Sequence, residues 1–112
     1  MHQVCGAFGI RYVHVLQPNQ YVPGSKRFRD TEKAFVIDED HPYRLGVLNG
    51  YPLLRTLGTK LRSAGVDFHD FTQIFADHDD FSYIDSSCHL SASGNGILSE
   101  RIGQIITGKD NQ

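Results

Sequence analysis

The chain has 112 residues, 39% of them hydrophobic, and a formal net charge of -2. That length fits one small domain or a piece of a larger one, and its 11 basic residues are scattered, which argues against the basic stripe of a nucleic-acid surface. No apolar run reaches the roughly 18 residues of a membrane span, and Met1-His2-Gln3-Val4-Cys5 has neither the basic nor the apolar stretch of a signal peptide.

In chain order, Gly9 to Leu16 is predicted as a buried strand. Ile10, Tyr12, Val13 and Val15 are β-formers, and Gln17-Pro18-Asn19 stops the run. Residues 17–31 hold two prolines, a glycine and many charges, and read as a long loop of the kind that often carries function. Thr31-Glu32-Lys33-Ala34-Phe35 predicts a short helix capped by Asp30 or Thr31. Asp38-Glu39-Asp40-His41-Pro42 is a polar break. From Tyr43 to Ala64, apolar residues recur at Val47, Tyr51, Leu54, Leu57 and Leu61, the spacing of one helix face. Gly50 and Pro52 predict a kink or restart, and Gly65 sits where a helix-ending glycine belongs.

Val66 to Phe71 alternates apolar and polar residues and predicts a second strand. Asp77-His78-Asp79-Asp80 reads as a solvated loop, and Tyr83-Ile84-Asp85 as a short extended entry to the segment that ends at His89. Ser91 or Ser93 caps a last helix, with Ile97, Leu98, Ile102, Ile105 and Ile106 on its buried face. Strand, helix, strand, helix is the order of an α/β layer with parallel strands. The expectation is a single domain over residues 1–112, a partial three-layer sandwich of flavodoxin-like kind. Two strands leave both sheet edges unpaired, so self-association through an edge is also expected.

Chemistry concentrates near His89. Histidine suits general-base work because its pKa lies near neutrality, and a carboxylate on its Nδ1–H fixes the useful tautomer. Asp85 stands four residues earlier. A bare pair of this kind is more often plain polar loop, so the surrounding residues decide. Tyr83-Ile84-Asp85-Ser86-Ser87-Cys88-His89-Leu90-Ser91-Ala92-Ser93-Gly94-Asn95 resembles the last block of the SGNH (GDSL-type) hydrolases, where an Asp and a His precede a final helix opened by Gly-Asn. Leu16-Gln17-Pro18-Asn19-Gln20, Tyr51-Pro52-Leu53-Leu54 and Val66 to Thr72 are similar to upstream segments of one branch of that family.

The resemblance, over about residues 8–107, implies a serine ester hydrolase acting on an acyl or acetyl group, on a small-molecule, carbohydrate or lipid ester, with no cofactor. It makes His89 the general base and Asp85 its orienting acid. The family's commoner spacing is Asp-x-x-His, and Ser86 holds that position here, so a pairing with Asp85 implies a one-residue bulge. The Gly-Asp-Ser nucleophile block is absent. Ser25 follows Gly24 but comes after the Leu-Gln-Pro strand end, and Ser63 lies in no Gly-x-Ser-x-Gly elbow. Gly94-Asn95 belongs to the last helix and does not match the family's oxyanion block. The chain therefore reads as the C-terminal portion of such a hydrolase.

Gln17, Asn19 and Gln20 follow a strand end, where α/β proteins bind ligands; they line a substrate cleft or cap the strand and helix ends. The alternatives are an inactive remnant or interaction module and, more weakly, a metal-binding domain. His69, Asp70, Asp77, His78, Asp79, Asp80 and His89 would supply the ligands, in no compact ligand spacing. Cys5 and Cys88 read as free thiols, with Cys88 a small packing group rather than a nucleophile. Compartment stays open.

Overall fold

Six elements follow one another: α1 (His2–Ala7), β1 (Val13–Leu16), α2 (Asp30–Val36), α3 (Pro42–Ser63), β2 (Asp67–Asp70) and α4 (Ala92–Thr107). The structure is a computed structural model and describes residues 1–109, so residues 110–112 of the expected domain lie outside the described residues. It is mixed α/β, with one two-stranded parallel sheet and four helices among the described residues. The strands pair from Val13 with Asp67 to Leu16 with Asp70. The Phe71 amide donates to the Leu16 carbonyl at 3.0 Å. By strand alternation, the backbone groups of His14 and Leu16 face β2, while those of Val13 and Val15 face an open edge.

β1 is shorter than the predicted Gly9–Leu16. The extra helix α1 precedes it, and its last carbonyls continue to collect bonds. The Phe8 and Ile10 amides both donate to the Cys5 carbonyl, at 3.1 and 2.9 Å. That turn uses the backbone a longer strand would need, and Ile10 is left exposed.

α3 runs unbroken through Pro52, so the helix does not restart there. Pro42 fills the first turn, where a missing N–H removes no bond, and His41 caps the helix by accepting the Tyr43 amide at Nδ1 (3.2 Å). Pro52 lies on the exposed side and removes a single bond within the helix. The buried stripe is Val47, Tyr51 and Gly58, whereas the predicted core residues Leu54 and Leu57 remain 45% and 51% exposed. Gly58 sets that rotation: a Cβ there would overlap the Phe68 ring of β2.

The loop after β1 is part of the core rather than an excursion. Its Tyr21 and Val22 pack with Val47 and Tyr51 of α3, flanked by Leu16, Ile37 and Cys88. A second cluster joins Val36, Phe75 and Tyr83. α2 starts at Asp30 with Arg29 at its cap position and no capping side chain, so neither Asp30 nor Thr31 caps it. Glu32 turns inward and meets Lys26 at 3.5 Å, with both side chains fully buried. Lys26 Nζ also donates to the carbonyls of His78 (2.6 Å) and Asp80 (2.7 Å). The acidic run is thus tied down by its backbone while its carboxylates face water.

α4 begins as predicted, with Ser91 Oγ accepting the Gly94 amide at 3.0 Å. Gly94 is required by close approach, because a Cβ would run into the Ser82 carbonyl. Ile105 is buried; Ile97, Leu98 and Ile102 are half-buried; Ile106, predicted as core, is exposed. It stands one residue past Ile105, about 100° further round the helix.

Candidate active site

The Asp85–His89 segment is a closed loop. Tyr83 bridges Leu90 in antiparallel fashion, and the Ile84 amide donates to the His89 carbonyl at 3.0 Å. Inside it, Asp85 Oδ1 accepts the Ser87 amide at 2.8 Å and the His89 amide at 3.4 Å, an Asx-type turn. Asp85 Oδ2 lies 2.6 Å from His89 Nδ1. The four-residue spacing therefore reaches contact. Cys88, inside this step, has a φ of 71° and is the one non-glycine with a left-handed backbone among the described residues.

The bond to His89 holds the Asp85 carboxyl below the usual carboxylate range, helped by the Ser87 and His89 amides and opposed by slight desolvation. An ionised carboxylate only accepts, so the Nδ1 proton stays on the imidazole and Nε2 of the neutral ring keeps its lone pair. The His89 side chain is 69% exposed. This is the orientation of a general base facing outward. Among the described residues no serine hydroxyl bonds to His89, and Ser25 is buried.

Each residue of the loop is gripped by a different side chain. Gln20 Nε2 donates to the Asp85 carbonyl at 2.8 Å and to the Val36 carbonyl at 3.0 Å. Tyr21 OH donates to the Ser86 carbonyl at 2.9 Å. His41 Nε2 meets Ser87 Oγ at 3.2 Å. Asn19 Nδ2 donates to Cys88 Sγ at 2.9 Å, and its Oδ1 accepts the Tyr21 amide at 3.0 Å. Three consecutive residues of the loop after β1 thus hold three of the four residues between Ile84 and His89. Burial pushes the Cys88 thiol up, more than the Asn19 bond lowers it. Cys88 is a neutral, packed group rather than a thiolate.

Of the residues predicted to line a substrate cleft, Asn19 and Gln20 are buried and turned toward the loop. Gln17 is exposed, and its carbonyl accepts the Tyr51 hydroxyl at 3.3 Å. Tyr21 and His41 join the site without any sequence signal for that role. His-Pro before a helix signals a cap, but nothing local signals that the same ring reaches Ser87, 46 residues on.

A second Asp–His pair lies on β2, where His69 Nε2 is 2.7 Å from Asp67 Oδ1. Arg11 takes the other oxygen of Asp67 at 2.9 Å and is the main reason its carboxyl is held low. That carboxylate is shared between Arg11 and His69, whereas Asp85 has no arginine partner among the described residues. His69 lines an open cleft of about 600 Å³ with Arg62, Gln73, His78 and Arg101, and neither Asp85 nor His89 borders it. No group of three or more His, Cys, Asp or Glu side chains converges among the described residues. No helix among them is long and apolar enough to cross a membrane. Comparison of the chain with family models, with curated proteins and with solved structures returned no match.

Proposed function

We propose that this chain carries the acid–base half of a serine ester hydrolase, with His89 as general base and Asp85 as its orienting acid. The observation that carries the reading is the 2.6 Å contact between Asp85 Oδ2 and His89 Nδ1, with the far side of the ring open to solvent. A serine from residues outside this chain attacks the ester carbonyl. His89 Nε2 takes its proton and returns it to the leaving alcohol, while Asp85 stabilises the imidazolium. The resemblance of residues 83–95 to the SGNH block supports this assignment, as does the parallel pairing of β1 with β2. The parent fold is a three-layer sandwich in which further strands add to the open β1 edge. Gln17, the exposed member of its trio, is the candidate substrate contact.

The test is to express the chain together with any in-frame coding segment upstream of Met1 and treat it with a fluorophosphonate. The expected result is labelling of a serine in the added segment, lost in His89→Ala. Labelling that survives His89→Ala, or no labelled serine in any form, would sink the reading.

A second reading, an inactive interaction module, draws on a different observation. The outward backbone groups of Val13 and Val15 have no partner among the described residues, and Leu53, Leu54 and Leu57 of α3 are exposed. Such a surface favours pairing with another copy. Analytical ultracentrifugation separates the two: a monomer at high concentration removes this second reading.

A further inference from the structure

The loop that carries Asp85 and His89 is tied to the start of α3 by a single ring. His41 Nδ1 accepts the Tyr43 amide at 3.2 Å, and His41 Nε2 meets Ser87 Oγ at 3.2 Å. These two contacts fix the chemistry of the ring. An amide N–H can only donate, so Nδ1 must present its lone pair. In the neutral ring the proton is then on Nε2, and Nε2–H donates to Ser87 Oγ. The ring also stacks on Tyr21, with centroids 5.8 Å apart at 25°, and Tyr21 OH donates to the neighbouring Ser86 carbonyl. Tyr43 closes the other side edge-on at 4.7 Å.

This arrangement excludes one role and supports another. A ring that donates to Ser87 Oγ cannot take that hydroxyl's proton, so His41 and Ser87 are not a base and nucleophile. Ser87 instead has its amide on Asp85 Oδ1 at 2.8 Å and its hydroxyl on His41. It connects the helix cap directly to the carboxylate that orients His89. We propose that His41 is a positioning residue for the Asp85–His89 pair, acting through Ser87, in addition to capping α3. The inference rests on reading His89 as a general base, but it concerns geometry that exists before any nucleophile is supplied.

The two roles of His41 can be separated. Asparagine is among the best helix caps, so His41→Asn keeps the start of α3 and removes the reach to Ser87. Ser87→Ala keeps the cap and removes the same link from the other end. Long-range 1H–15N correlation spectra read both ring nitrogens of each histidine through its carbon-bound protons. In the unsubstituted chain the expected result is Nε2–H for His41 and Nδ1–H for His89. In both variants, circular dichroism keeps its helical signal while His89 shifts toward the Nε2–H form that free histidine prefers. His89 unmoved in either variant overturns the proposal, because the link then carries nothing. Should His41→Asn fail to fold, the Ser87→Ala result and the tautomer of His41 in the unsubstituted chain still decide it: an Nδ1–H ring at position 41 overturns it outright. Failure of fluorophosphonate labelling would leave these spectra unaffected, so the two readings fail separately.

Discussion

Gln20 and Asp85, 65 residues apart, are joined by a 2.8 Å hydrogen bond from the Gln20 side-chain amide to the Asp85 carbonyl. The same amide holds the last carbonyl of α2 at Val36. One buried side chain therefore fixes the acid's backbone against a helix end. Gln20→Leu keeps the volume and leaves two carbonyls unmet. The expected loss is about 1–3 kcal/mol of stability, measured by urea unfolding, with disorder concentrated at residues 84–89 in amide exchange.

The Asp85 carboxyl is held below its ordinary value, first by His89. A folded-state value below the unfolded one means that the group's contribution is present above the usual carboxylate range, about 3.9, and fades as pH falls through the lower folded value. In that window the Ser87 and His89 amides exchange a charged acceptor for a weaker neutral one. Their amide proton shifts should move together as pH falls below the usual carboxylate range, whereas Asp85→Asn should flatten the response. A shift unchanged by Asp85→Asn would remove the carboxylate as its origin.

Lys26 and Glu32 form a pair with no exposed side-chain surface, and Glu32 Oε1 also accepts the Ser82 amide at 3.0 Å. Lys26→Met strands a buried carboxylate and two carbonyls. The expected loss is about 3–5 kcal/mol. Adding Glu32→Gln removes the charge, keeps an acceptor for Ser82 and should recover a large part of that loss. Denaturation of the single and double variants checks it.

Gly94 sits against the Ser82 carbonyl, which is backbone and cannot swing aside, and Gly58 sits against the Phe68 ring. Alanine would raise helix propensity by about 1 kcal/mol at either site. Gly94→Ala should nevertheless destabilise by about 1–3 kcal/mol through overpacking. Gly58→Ala should be milder wherever the ring can turn. Thermal unfolding of the two variants ranks them, and a stabilised Gly94→Ala would contradict the packing.

Local patterns are legible where a short stretch decides its own structure. Ser91 is one of two cap candidates, with Ser93, because the bond it makes lies within one turn, and the alternation of Val66 to Phe71 marks β2. The parallel pairing follows from element order alone. Leu54 and Leu57 mislead because periodicity finds an apolar face without saying whether anything covers it. The rotation of α3 is set instead by Gly58 against Phe68, a contact between elements. Asn19 and Gln20, read as cleft-lining or capping residues, and Lys26, within the predicted loop, hide their buried roles for the same reason. Most of their partners are backbone carbonyls and a thiol more than 50 residues away, the exceptions lying in α2 at Val36 and Glu32, and no residue-by-residue property reports them. His89 and Asp85 stand out as candidate site residues through their sequence neighbours, and the expected bulge between them comes from the family pattern that those neighbours resemble.

The left-handed turn at Cys88 lies inside the four-residue step over which Asp85 reaches His89. The gap along a chain between an acid and the base it orients is not dictated by proton chemistry, which requires only that two atoms meet. Here the two atoms meet across a residue of unusual hand, which costs about 1–2 kcal/mol for a non-glycine, and the Asn19 contact at its sulfur helps keep it there. Insertion and deletion of single residues are in this way open to sites whose geometry is otherwise strict.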